Sequence, residues 1–226
     1  NNYCLPIAYS VSEEVEKWIT TGSNPFEIQN DYWTRATDAG DVFKRISATT
    51  YSTENIRSDD ELLTENFSYN KEITGQEGSI VIKYEIPESQ NVYLYTDCKS
   101  ADTINVSGTN GFSKSQDPSD PYVLDCGYLE KGEILTLEIT IPSDKESGYA
   151  DIYAVGLDMN NFEAGYNKLA ALAMDISEFT DTHIKGTVNV KANELVYTSI
   201  NYDEGWEITV DGEKVEPVAL GDALIG

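Results

Sequence analysis

Basic residues are scarce in this chain of 226: 15 lysines and arginines face 40 aspartates and glutamates, a formal net charge of −25. That balance excludes the electrostatic grip on nucleic acid phosphates or anionic lipid that a basic surface provides. It reads as a solvated acidic surface. Histidine is rarer still. His183 stands alone, so any Ser-His-Asp or Cys-His arrangement would have to use it. No G-x-S-x-G elbow, H-E-x-x-H, glycine-rich phosphate loop or dinucleotide fingerprint accompanies it. The three cysteines, Cys4, Cys98 and Cys126, are too few for a disulfide scaffold and lack zinc spacing. Cys98 and Cys126 each end a strand-like run, which leaves a bridge and a pair of buried free thiols both open. Long apolar runs are missing: the longest, Leu169 to Met174, has six residues, against the roughly 20 of a membrane helix. There is no initiator methionine and no signal-like start, and the chain reads as a piece of something longer. Acidic residues crowd at Ser58-Asp59-Asp60-Glu61 and Asp117-Pro118-Ser119-Asp120. Neither follows the spacing of an EF-hand loop, and the expectation is no metal, no cofactor and no catalytic residue.

What is present is period-two patterning. Ile80, Ile82, Tyr84 and Ile86 alternate with Val81, Lys83 and Glu85, and Pro87 ends the run. Leu135, Leu137, Ile139 and Ile141 alternate with Thr136, Glu138 and Thr140 in the same way. Val92 to Thr96 is apolar or aromatic on both faces, as a central strand would be. Val42 to Ile46, Thr103 to Val106, Tyr122 to Leu124 and Tyr149 to Leu157 complete about seven short strands, punctuated by glycine and proline turns. This predicts a mainly β chain: a jelly-roll-like β-sandwich with a smaller C-terminal β layer and short N-terminal and linking α-helices. Ser12 is a suitable N-cap for a helix from Glu13 to Thr20, and Asn24-Pro25 starts another on which Phe26, Asn30 and Trp33 share a face. Phe162, Tyr166, Leu169 and Ala173 mark a third amphipathic helix over 161–174. The expected organisation is residues 1–50 as a helical lead-in, 51–160 as the sandwich, and 161–226 as a helix plus β-meander, truncated at its C-terminus.

The meander is read from Leu195 to Val215, LVYTSINYDEGWEITVDGEKV. Leu195 to Ile200 reads as a strand, the polar run to Gly205 breaks it, and Trp206, Ile208 and Val210 share one face of the next. Asp211-Gly212 suits a two-residue type I′ turn, in which both central residues take positive φ. Trp206 has two readings. As a core anchor it would bury roughly 150–250 Å², and its replacement by alanine would cost roughly 3–5 kcal/mol. Otherwise it is a platform on which a sugar stacks. Fifteen tyrosines and three tryptophans with nearby Asp, Asn and Gln suit sugar stacking, although tyrosine is also simply a good strand residue. If a glycan site exists, Tyr202, Asp203 and Glu204 are the candidate ligand-binding residues, because loops on rigid sheets carry binding groups. A hydrolase is the third reading, since 40 acids offer many carboxylate pairs by chance.

The same stretch resembles the extracytoplasmic segment of YfhO-type bacterial membrane proteins, with their S-I-P-Y-D-x-G-W-x-V-x-V-D-G-x-K-V wording. Ser199, Ile200, Tyr202, Asp203, Gly205, Trp206, Val210, Asp211, Gly212, Lys214 and Val215 match; Asn201 replaces the usual proline and Ile208 a valine. Asn24 to Asn30 resembles the family's N-P-F-x-x-Q-N stretch. The resemblance implies a polytopic parent, similar to glycosyltransferases that use polyprenyl-phosphate sugars and linked to glycosylation of lipoteichoic acid and related envelope polymers. It implies that this piece is a non-catalytic domain on the extracytoplasmic side of the cell membrane. Its partners would be the transmembrane region of its own parent chain and a cell-envelope glycan or teichoic acid. The alternative is an independent carbohydrate-binding module.

Overall fold

A computed structural model describes residues 3–58 and 64–226; Asp59-Asp60-Glu61 of the first acidic run lie outside them. The chain opens with β1 (Ala8–Ser12), a 3-10 helix (Glu13–Lys17) and α1 (Pro25–Thr37). Strands β2 (Phe43–Arg45), β3 (Thr50–Glu54), β4 (Ile56–Arg57), β5 (Asn66–Lys71), β6 (Gly78–Glu85) and β7 (Gln90–Asp97) follow. Next come β8 (Thr103–Gly108), β9 (Ser113–Gln116), β10 (Leu124–Leu129), β11 (Ile134–Ile141) and β12 (Ser147–Leu157). After α2 (Met159–Ala171) the strands are shorter: β13 (Asp175–Phe179), β14 (Ile184–Thr187), β15 (Glu194–Thr198), β16 (Ile208–Val210), β17 (Glu213–Val215), β18 (Ala219–Leu220) and β19 (Leu224–Ile225). Two compact units result. A sandwich unit holds Ser23–Pro25 and Phe43–Asp158, and a terminal unit holds Asn1–Gly22, Phe26–Val42 and Met159–Gly226.

The sandwich follows directly from the alternation. One antiparallel sheet runs β10-β7-β12-β5-β4, with β2 on β12, and the other runs β3-β6-β11-β8-β9. From β5 to β12 successive strands switch sheets except at the β8–β9 hairpin, which is the jelly-roll habit. β11 pairs along its whole length with β6, Leu137 opposite Ile82, and on its other side sets Leu137 opposite Val106 of β8. One core cluster joins residues of both sheets, among them Phe67, Ile82, Leu94, Leu137 and Ile152. Strands with polar sequence were not legible from periodicity. β3 is exposed at every residue, and β9 buries only Gln116. Tyr122 and Val123 are exposed and precede β10 instead of belonging to a strand. Cys98 and Cys126 are free, buried thiols, which decides against the bridge.

In the terminal unit Ser12 caps the 3-10 helix by accepting from the Glu14 amide at 3.2 Å. The predicted α-helix to Thr20 is therefore one short 3-10 segment. α1 buries Phe26, Trp33 and Thr37, and α2 buries Gly165 and Leu169. β1 pairs antiparallel with β15 from Ala8↔Thr198 to Ser12↔Glu194. Tyr9 stacks on Tyr197 with ring centroids 5.1 Å apart, and its hydroxyl meets that of Tyr32. Two-stranded pairs β13–β14, β16–β17 and β18–β19 complete the unit.

Two expectations about the Leu195–Val215 stretch are corrected. It is not a continuous meander: β15 pairs with the N-terminal strand β1 in a two-stranded sheet, and β16 pairs only with β17. The turn itself has positive φ at both Asp211 (53°) and Gly212 (88°), as a type I′ turn needs. Trp206, however, lies before β16, outside the hairpin's paired residues, and is half-buried instead of enclosed in a core. Trp206→Ala is accordingly expected to cost about 1 kcal/mol, not the 3–5 kcal/mol of a core tryptophan. Urea denaturation of the two proteins checks this.

Candidate functional site

Alternation in β7 and β12 sends Leu94, Ala150, Ile152 and Ala154 into the sandwich core, so the odd-numbered residues of both strands form the outer face. The register sets Asp151 opposite Asp97 and Tyr153 opposite Tyr95. On the other side of β12, Asp151 stands opposite Asn66 of β5. A row of carboxylate, carboxylate and amide therefore crosses three strands beside a row of phenols. Tyr95 and Tyr153 stack with centroids 6.2 Å apart at 24°.

Hydrogen bonds fix this face. The Tyr149 hydroxyl donates to Asp151 Oδ1 at 2.8 Å. Asn66 Nδ2 donates to the same oxygen and to Tyr153 Oη at 2.9 Å. Tyr153 is buried and its hydroxyl also meets Ser23 Oγ at 2.9 Å. It lies on the same face but is covered and not open to a ligand, whereas Tyr149 is 51% exposed. The bond to the Asp151 carboxylate raises the Tyr149 phenol above its ordinary pKa, and burial adds to this. Burial, then the charges of Asp97 and Asp151, raise Tyr95. Both phenols thus stay protonated well past neutral pH.

Beside Tyr149 the face sinks into a depression of about 350 Å³ lined by Asp97, Lys99, Ser100, Gly148, Tyr149 and Asp151. Gly148 in its lining leaves room for the side chains packed against it. A Cβ there would come within 2.2 Å of Ser100 Oγ and 2.4 Å of Tyr69 Oη, two atoms already hydrogen-bonded to each other at 2.5 Å. Lys99 Nζ lies 3.9 Å from Asp97 Oδ2, an open ion pair.

The residues expected from the sequence to bind a ligand are elsewhere. Tyr202, Asp203 and Glu204 are exposed on the loop between β15 and β16 and do not line the depression. Asp203 Oδ1 accepts from the Gly205 amide at 2.7 Å and its carbonyl from the Trp206 amide at 3.2 Å. Its backbone and one carboxylate oxygen are thus engaged in holding the turn. The loop and the depression belong to different units. The patterns Tyr-x-Tyr-x-Asp over 93–97 and Tyr-x-Asp-x-Tyr over 149–153 were the available signal for the sheet-face site; what no pattern shows is that the two strands are neighbours in this register.

The face can stack and hydrogen-bond. Among the described residues, no group of three His, Cys, Asp or Glu is placed to hold a metal ion. His183 is exposed, with Nε2 3.8 Å from Glu178 Oε2, and both buried thiols sit in the sandwich core. Among the described residues no helix is long and apolar enough to cross a membrane, a statement that leaves β-barrels aside.

Comparison with curated proteins returns no match. Among solved structures, TmCBM61 in complex with beta-1,4-galactotriose is similar at 12% identity over 48% of this chain and 89% of that one, with a TM-score of 0.33. A carbohydrate-binding module of family 29 follows at 14% identity, 51% and 86% coverage and a TM-score of 0.30. The family 11 carbohydrate-binding module of a cellulosomal cellulase of Clostridium thermocellum has 11% identity, 52% and 88% coverage and a TM-score of 0.26. Likenesses this low carry nothing about ligands. The family model described as bacterial membrane protein YfhO spans residues 1–226, and the chain belongs to that family.

Proposed function

We propose that this chain is a non-catalytic domain on the extracytoplasmic side of its membrane parent. There it would hold a glycan during glycosylation of lipoteichoic acid or another cell-envelope polymer by a polyprenyl-phosphate-sugar-dependent glycosyltransferase. The observation that carries the reading is the outer sheet face, where the half-exposed Tyr149 ring adjoins Asp97, Asp151, Lys99 and Ser100. Aromatic rings beside directional polar groups are the usual means of gripping a sugar. The net charge of −25 argues against direct contact with polymer phosphates, whose repulsion is screened only beyond roughly 8–10 Å. Contact would come through sugar substituents or D-alanyl ammonium groups. Saturation-transfer NMR on the 226-residue chain, with lipoteichoic acid and neutral oligosaccharides as separate probes, is expected to show transfer to sugar protons. Silence from both would remove the glycan role.

A second reading, the independent carbohydrate-binding module, has one observation in its favour. Phe43 pairs with Leu157, so the chain enters and leaves the sandwich on adjacent strands, and the sandwich is topologically self-contained. It predicts the same sugar binding with no dependence of envelope glycosylation on this domain. A parent protein carrying a binding-dead sandwich separates the two: reduced polymer glycosylation supports the first reading and unchanged glycosylation the second.

A further inference from the structure

The depression beside Tyr149 has a chemistry more specific than an aromatic patch. Resting on the glycan reading above, we propose that it takes a neutral pyranose, with Tyr149 under the sugar ring and Asp97 and Lys99 hydrogen-bonded to adjacent hydroxyls. Tyr149 is half-exposed, yet its hydroxyl is tied to Asp151 Oδ1 at 2.8 Å, so the ring is held in place before a ligand arrives. A held ring loses little rotamer freedom on binding. Asp151 is 9% exposed and takes two donors on that one oxygen, from Tyr149 and Asn66. Its part is positioning.

Ser100 Oγ is tied to Tyr69 Oη, so the groups left to read a ligand are Asp97 and Lys99. At 3.9 Å the Asp97–Lys99 pair lies beyond hydrogen-bond length. A ligand's hydroxyls can thus meet carboxylate and ammonium separately, one donating and the other accepting, without first breaking a closed bond. Lys99 is 74% exposed at its side chain and Asp97 27%, so both can be reached. Two adjacent hydroxyls of a pyranose present a donor and an acceptor side by side, matching this arrangement. Charge sets the other limit. Two carboxylates outweigh one ammonium in the depression, inside a chain of net charge −25, which disfavours a phosphorylated sugar or the polymer phosphates themselves. The volume of about 350 Å³ lies at the small end of ligand sites, the scale of one or two sugar rings.

The test titrates the 226-residue chain by NMR with methyl glucoside, methyl galactoside, methyl mannoside, maltose and cellobiose, and with glucose 6-phosphate in parallel. At least one neutral probe is expected to saturate, with glucose 6-phosphate at least about 10-fold weaker than glucose-based probes. Tyr149→Ala should weaken neutral binding by about 10-fold or more, and Asp97→Asn by several-fold. Tyr149→Phe, which keeps the ring but loses its tie to Asp151, should fall between. Unchanged thermal unfolding of the Tyr149 variants keeps a binding loss interpretable, and Asp97→Asn supplies the readout independently if they unfold. Binding that survives Tyr149→Ala but is lost in Tyr202→Ala would overturn this site and leave the glycan reading standing. Tighter binding of glucose 6-phosphate would overturn the neutral-ligand assignment alone. Failure of every probe to bind the wild-type chain would overturn both.

Discussion

Trp33→Ala is expected to lower the unfolding free energy of the terminal unit by roughly 3–5 kcal/mol, the usual loss for a buried tryptophan. Trp33 is 5% exposed, stacks on Phe162 with centroids 5.3 Å apart and planes 8° from parallel, and donates from Nε1 to the Asn161 carbonyl at 3.3 Å. The indole thus joins α1 to α2. It also explains a glycine in the middle of a helix. A Cβ on Gly165 would lie 2.5 Å from Cε2, Cζ2 and Nε1 of Trp33, closer than real atoms approach, and a buried ring stacked on Phe162 and hydrogen-bonded through Nε1 cannot swing away cheaply. In an ordinary helix interior Gly→Ala stabilises by roughly 1 kcal/mol. Here Gly165→Ala is expected to destabilise by roughly 1–3 kcal/mol through overpacking. In a Trp33→Leu background the same alanine should turn neutral or stabilising, because the obstacle is gone, and a double-mutant cycle in urea reads that coupling. A Gly165→Ala protein more stable than wild type would mean the indole is not seated against this glycine.

How much of this was legible in the sequence depends on what each element buries. β6 and β11 were legible because each faces a core on one side and alternates Ile or Leu with polar residues. The helix from Pro25 was legible through its start signal, and α2 through Phe162 and Leu169. β3 and β9 carried no signal, since a strand that buries almost nothing has no reason to alternate. β1 was hidden differently: Ala8 to Val11 are all buried, and a run buried on both faces has no period to detect. Its partner β15 lies more than 180 positions along the chain, a pairing no local pattern encodes. Trp206 misled for a related reason. An alternating Trp-x-Ile-x-Val run states which side chains share a face, but not whether anything covers that face. The ligand site divided the same way. Tyrosine and aspartate at alternate positions of β7 and β12 were visible as composition, and only the register of Asp97 with Asp151 makes them one surface.

Alkaline pH is expected to weaken the sandwich from about pH 8.5 upward, well before ordinary surface groups would do so. Cys126 is fully buried; burial, reinforced by the neighbouring Asp125 charge, pushes its thiol up to about 12. Burial also raises Cys98, against hydrogen bonds from Ser100 and Tyr69 that pull the other way. In the unfolded chain a thiol ionises near 8.5. The sign follows from proton counts. Below that value both states keep the proton and stability is at its full level; above it the unfolded chain loses the proton while the folded one holds it, so unfolding is increasingly favoured until the folded group ionises too. Each such group costs up to about 1.4 kcal/mol per pH unit, so Cys126 alone removes roughly 2 kcal/mol by pH 10, and Cys98 acts in the same direction. Tyr69 and Tyr84, raised chiefly by burial, join above about pH 10, where unfolded tyrosine begins to ionise. Urea midpoints measured from pH 7 to 11 should therefore fall in two stages. In a Cys98→Ala, Cys126→Ala protein the first stage should vanish while the second remains, whatever the baseline stability of the variant, because the slope depends on the titrating thiols and not on the cavity they leave. A wild-type midpoint level to pH 10 would contradict the burial of these thiols between the two sheets.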